Sequence, residues 1–252
     1  MSACEKGGHW QQALLLLSAL AEAQILPDIL SYAVGASACG KGGQWQPALS
    51  LLTEAWEAKL EPSVVSYSAG IHACTNGGQW QKALLLLREM MAIKLDADTT
   101  SYNIAINACG KASPVPWQHA LLLLSELAEV GQPDAISYNS GLSACQEAGQ
   151  WEHALLLLGQ VRETKLEVIV GCFSATINAC RRGGQVHRSL SLLEEMIVCR
   201  FDSAVVGYSA GINSCEAGGL SPRALPLMGL MERRELLNLH TCCGRTSGYP
   251  AL

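Results

Sequence analysis

The sequence copies itself about every 35 residues, and a chain of this kind buries its apolar faces by stacking like units on one another. Aligned on its tyrosines, it divides into units 29–63, 64–98, 99–134, 135–169, 170–204 and 205–239. The remainder of an earlier unit precedes them at 1–28, and the aperiodic stretch 240–252 reads as a disordered tail. The shared pattern is S-Y-x-x-G-I-x-A-C, a glycine turn, G-Q-W-x-x-A-L-x-L-L-x-E-M and a closing K-L-E-P. Because the chain begins in the middle of a unit, the expectation is that further sequence, with any targeting signal, lies upstream in a longer product.

Each unit reads as two helices. In 64–98 the first helix places Tyr67, Ile71 and Cys74 at i, i+4 and i+7, on one face. Gly77 and Gly78 break it. The second helix sets Trp80, Ala83, Leu84, Leu87, Met90 and Met91 along a broad apolar stripe. Alanines at Ala48, Ala83, Ala120, Ala154 and Ala224 let the two helices approach closely, and Pro27, Pro62 and Pro133 are expected to stop the second helix. Ser113-Pro114-Val115-Pro116 lengthens one inter-helix turn by two residues, with both helices expected to survive. The fold class that follows is all-α, an α-solenoid (right-handed superhelix) of helix–turn–helix repeats.

Composition agrees. Hydrophobic residues make up 49% and charged residues 15%, the reverse of a disordered chain. Aliphatic runs such as Leu84 to Leu87 are far shorter than the ~20 residues of a membrane span, so no membrane partner is expected. Of eleven cysteines, seven recur at Cys4, Cys39, Cys74, Cys109, Cys145, Cys180 and Cys215, spaced by 35 and once by 36. A cysteine met once per repeat has its nearest copy a whole repeat away, which points to small buried thiols in a reducing compartment and not to bridges.

These features resemble the pentatricopeptide repeat family: the 35-residue period, the tyrosine early in the first helix, the glycine turn, A-L-x-L-L-x-E-M and the closing L-E-P-x, over residues 1–239. The resemblance implies single-stranded RNA binding, about one base per repeat, in the processing, editing or stabilisation of RNA in a chloroplast or mitochondrion. It also implies which residues read the bases: the one directly after the tyrosine and the one closing the repeat. Ser68 with Asp98 would favour guanine and Asn103 with Asp134 uracil; Asn139, Ser174 and Ser209 take the same place after the aromatic, with Ile169 and Ala204 closing the units of Asn139 and Ser174. Ala33, with Ser63, offers no side-chain hydrogen bond. Val65, Thr100, Ile136 and Val206, two before the tyrosine, would wedge neighbouring bases apart, while Gly171 stands there in its unit.

A net charge of −5 is a weak footprint for a phosphate binder, yet the ends of the first helices are locally basic. Lys6, Lys41, Lys111, Arg181 and Arg182 stand against Glu5, Glu147 and Glu216. Lys6, Lys41, Lys111 and Arg182 are the candidate phosphate contacts, although cations there also meet the helix dipole. Trp10, Trp45, Trp80, Trp117 and Trp151 open the second helices beside the leucine stripe, which makes them packing residues before they are platforms for bases.

No catalytic grouping is visible. The glycine turns follow no strand, so they are not nucleotide loops, and Asp98 and Asp134 lie a repeat apart. The histidines have no metal-like spacing, no C-x-x-C exists, and His240, Cys242 and Cys243 lack further ligands. The expectation is a binding protein without enzyme activity, cofactor, metal or small-molecule substrate. Two alternatives stay open: a scaffold on the same solenoid that holds protein partners, and a degenerate copy from a repeat expansion with no specific ligand.

Overall fold

The computed structural model describes residues 2–164 and 170–198, and every element in them is a helix. In chain order these are α1 (Ser2–Gly7), α2 (Trp10–Glu22), α3 (Ile29–Lys41), α4 (Trp45–Glu57), α5 (Val64–Asn76) and α6 (Trp80–Ala92). They continue with α7 (Thr99–Lys111), α8 (Trp117–Val130), α9 (Ala135–Glu147), α10 (Trp151–Glu163), α11 (Val170–Arg182) and α12 (Val186–Val198). Odd-numbered helices are the first of each pair. The expected unit 205–239, the tail 240–252, and with them Val206 and Ser209, lie outside the described residues, as do the closing residues Ile169 and Ala204. No helix is long and apolar enough to cross a membrane among the described residues. The chain divides into two compact units, residues 1–144 and 145–252.

The start of each first helix is chemically marked. Asp28 caps α3, accepting from the Ser31 N–H at 2.8 Å and the Ser31 hydroxyl at 2.6 Å. Asp98 does the same for α7 through Ser101 (2.8 and 2.7 Å), and Asp134 for α9 through Ser137 (2.8 Å each). Ser63 and Ser66 form a reciprocal capping box on α5. Hydrogen bonds to Ser137 and Asn103 outweigh burial, which pushes the other way, and hold the Asp134 carboxyl below its usual range.

The two turn glycines have different jobs. Gly43, Gly78, Gly149 and Gly184 sit in the left-handed region, and at Gly78 (φ 69°) an added Cβ would meet nothing, so the requirement is conformational. Behind it the Gln79 N–H donates to the Cys74 carbonyl at 2.8 Å and the Gly78 N–H to the Thr75 carbonyl at 3.2 Å, the paired bonds of a Schellman end. The preceding glycine is a matter of space: a Cβ on Gly42, Gly77 or Gly183 would overlap the ring of Trp10, Trp45 or Trp151 from the repeat before.

The second helices end earlier than the prolines suggest. α4 stops at Glu57, five residues before Pro62, and α6 stops at Ala92 with no proline following. The agent is a left-handed residue, Lys59 (φ 59°) or Lys94 (φ 60°), after which the Leu60 and Leu95 N–H groups donate back to Ala55 and Met90. The prolines therefore follow ends already made. On the lengthened turn, α7 and α8 form on either side as expected.

In unit 1 the first helices form a continuous row, α1 on α3, α3 on α5 and α5 on α7; α2, α4 and α6 each pack on their own first helix and on the next, and α8 packs on α7. Ala13, Ala48, Ala83 and Ala120 are fully buried, as are Leu52, Ile71, Leu87, Met90, Tyr102 and Ile106. In unit 2, α11 packs on both α10 and α12 around Leu158, Ile177, Leu193 and Met196. Cys39, Cys74, Cys109, Cys145 and Cys180 are buried free thiols, and Cys172 is buried too. Burial pushes Cys74, Cys109 and Cys180 up to about 11 and Cys145 up to about 12, which leaves them unreactive at neutral pH.

Candidate functional site

The residues after Tyr67 and Tyr102 lie where their helices meet the start of the next first helix. Asn103 on α7 donates from Nδ2 to Oδ1 of Asp134 at 3.2 Å, so this sequence-distant pair is in direct contact. Its own amide oxygen is enclosed and makes no hydrogen bond. Ser68 on α5 reaches Asp98 indirectly: its hydroxyl lies 2.9 Å from that of Ser101, which in turn donates to Asp98. One carboxylate thus caps a helix and orients a side chain on the helix before it.

The remaining positions after the aromatic differ. Asn139 is half-buried, its carbonyl accepting from the Ser143 hydroxyl at 2.8 Å. Ala33 is 2% exposed and Ser174 is 5% exposed. Ser174, grouped with the others from the sequence, is thus enclosed by packing, whereas Ser68, Asn103 and Asn139 retain partial exposure. Two before the tyrosine, Val65 (57%) and Ile136 (61%) stand exposed, and so does Thr100. Leu30 occupies the same register on α3 and is 55% exposed; sequence reading passed over it although its spacing from Tyr32 is the same. The tyrosines themselves are structural. Tyr32 donates to Glu54 at 3.2 Å, and Tyr67 stacks on Trp56 at 5.2 Å between centroids.

The capping role of Asp98 and Asp134 also went unread, and its signal was in the sequence: D/S-x-x-S at Asp28/Ser31, Ser63/Ser66, Asp98/Ser101 and Asp134/Ser137.

Charge is divided between the two rows of unit 1. The first helices α1, α3, α5 and α7 carry Lys6, Lys41 and Lys111 against Glu5 alone. The second helices α2, α4, α6 and α8 carry Lys82 and Arg88 against six glutamates. Lys41 lies 3.5 Å from Glu5, while Lys6 and Lys111 form no ion pair among the described residues. Between the ends of α3 and α7, burial holds His72 below its ordinary value, reinforced by Lys41 and Lys111. Asn76 beside it donates to the Gly40 carbonyl at 3.1 Å. In unit 2, Arg182 bridges to Glu147, with contacts of 2.9 Å to its carboxylate and 3.0 Å to its carbonyl.

The tryptophans lie at repeat junctions. Besides Gly77 and Gly183 of the following turns, Trp45 meets Lys82 (3.8 Å to the ring centroid) and Trp151 meets Arg188 (4.2 Å), while Trp80 meets His119 (5.5 Å between centroids). No cluster of side chains suited to a metal ion occurs among the described residues.

Comparison with known proteins places this arrangement. Residues 50–112 match a family model described as pentatricopeptide repeat domain, and residues 172–201 match the PPR repeat. The structure is similar to that of the pentatricopeptide repeat protein PPR10 from maize, with a TM-score of 0.73 and 26% identity over 92% of this chain and 33% of that one. PPR10 in complex with an 18-nucleotide psaJ RNA element is similar at a TM-score of 0.57 and 17% identity, over 93% and 39% of the two chains. The PPR domain of Arabidopsis thaliana protein-only RNase P 1, in complex with tRNA, follows at 0.55 and 12%, over 68% and 89%. The chain thus spans about a third of the length of the maize protein. No curated protein matches it by sequence.

Proposed function

Since this chain belongs to the pentatricopeptide repeat family, we propose that it binds single-stranded RNA along the first-helix row of unit 1, with Asn103 and Ser68 as its base readers. The observation that carries this reading is the Asn103–Asp134 contact at 3.2 Å. A planar amide held by a carboxylate at a helix start is preorganised, and its enclosed oxygen, which has no hydrogen bond in the fold, gains a partner where a base N–H reaches it. Ser68, oriented through Ser101, supplies a smaller donor–acceptor one repeat earlier. Leu30, Val65 and Ile136, exposed apolar side chains at one register, suit separation of consecutive bases. Lys6 and Lys111, with Lys41 where it is released from Glu5, supply cations for the phosphates. Ala33 and the enclosed Ser174 leave their repeats without a comparable reader, so recognition is sharp at two positions and tolerant elsewhere.

By this reading the protein acts without catalysis, occupying a short RNA site in processing, editing or stabilisation. A chloroplast or mitochondrial setting is the corresponding proposal for its place of action.

The test is selection from labelled single-stranded RNA pools at low salt. Replacing Asn103 by Ala should relax preference at one base, at a cost of about 1–3 kcal/mol for the preferred base. Lys111→Ala should weaken all sequences alike and reduce the salt slope by about 0.7. A uniform loss across positions for Asn103→Ala would end the base-reading proposal.

A further inference from the structure

The outer face carries a feature that RNA binding along the first helices does not use. Five residues into the second helices, Leu15, Leu85 and Leu122 are 68%, 57% and 52% exposed, while the next leucines along, Leu86 and Leu123, are buried. Ser50 holds this register in α4. Single exposed leucines are ordinary; the same register left apolar on consecutive second helices, α6 and α8, is not. Arg88 on α6 and Glu126 on α8 form an ion pair of 2.6 Å that ties together the two helices bearing Leu85 and Leu122.

The surroundings are acidic. Of the two cations on these helices, Lys82 lies over the Trp45 ring and Arg88 is taken by Glu126, while Glu54, Glu57, Glu89 and Glu129 are exposed. A second-helix row with this excess of glutamates repels an anionic membrane and sets like charge against like in a second copy of itself. It complements a helix with leucine-type side chains on one face and lysine or arginine beside them.

We propose that the second-helix face of unit 1, centred on Leu85 and Leu122, docks a basic amphipathic helix of another protein, leaving the first-helix row free. The protein would then carry a partner on one side and RNA on the other.

The test titrates the full chain with a synthetic helical peptide of about 18 residues, five turns, with leucines on one face and lysines on the other. Comparators are a peptide of the same composition with its leucines scattered, a glutamate version of the striped peptide, and vesicles of anionic phospholipid. The striped lysine peptide should bind alone among these. Its affinity should fall at least about tenfold in the Leu85→Gln/Leu122→Gln variant, since two leucine contacts are lost. Helicity and RNA affinity should stay unchanged, which separates this result from the fate of the RNA reading. Equal binding by the scattered or glutamate peptide, vesicle binding, or undiminished binding by the double variant would each overturn the proposal. So would dimerisation in sedimentation runs that the double substitution abolishes, because the face would then belong to a second copy.

Discussion

Asp134 carries two loads on one carboxylate: Oδ1 accepts the Ser137 N–H, the Ser137 hydroxyl and the Asn103 amide. The loads can be separated by substitution. Asparagine is as good an N-cap as aspartate, so Asp134→Asn should leave stability within about 0.5 kcal/mol, while Asp134→Ala should cost about 1 kcal/mol. Both should alter base preference at a single position, measured by selection from RNA pools. If Asp134→Asn bound RNA with unchanged preference, the carboxylate would be a cap and nothing more. The sign of its pH dependence is fixed by its lowered pKa. The stabilisation is complete at neutral pH and is lost as pH falls below the ordinary carboxylate value of 3.8, where the unfolded chain takes up its proton first.

Helix ends are where this sequence is least comfortable. The described first helices other than α7 finish on glycine in the left-handed region, but α4 and α6 finish on Lys59 and Lys94 with φ near +60°. A side chain there crowds the following carbonyl, and glycine does not. Lys94→Gly should therefore raise stability by about 0.5–1 kcal/mol, read as a higher denaturant midpoint. A lower midpoint would mean that the lysine stem contributes packing that outweighs its backbone strain. Gly42, Gly77 and Gly183 have no such freedom to change, because the tryptophan of the preceding repeat already fills the space of their Cβ.

Across the molecule, the bookkeeping of charge separates two faces that a net charge of −5 blends together. His72 reports on the first-helix side. Held below its ordinary 6.5 by burial and by Lys41 and Lys111, it is preferred neutral in the fold. As pH drops below 6.5 the unfolded chain takes up that proton first, so stability should fall between pH 7.5 and 5.5. His72→Gln should flatten this part of the profile, followed as thermal midpoints at the two pH values. An unchanged slope would place the titrating group elsewhere. RNA phosphate beside the lysines would favour the protonated imidazole, so RNA affinity should rise over the same interval and rise less in the variant.

Helix positions, the pairing of helices and the burial of the repeated cysteines were legible from the residues alone, because a 35-residue period with apolar spacing of 3.6 leaves one economical way to bury Leu52, Leu87 and Cys74. The D/S-x-x-S caps were legible too, being local chemistry. Three things required the tertiary arrangement. That Asn103 touches Asp134 but Ser68 reaches Asp98 only through Ser101 depends on distances between helices a repeat apart. That Ser174 is enclosed while Asn139 is partly open depends on neighbours that the pattern around either residue does not name. That Leu85 and Leu122 face solvent depends on which side of four consecutive leucines the packed layer takes. Periodicity specifies what must be buried somewhere; only the packing of repeat on repeat selects which atoms meet and which are left for a partner.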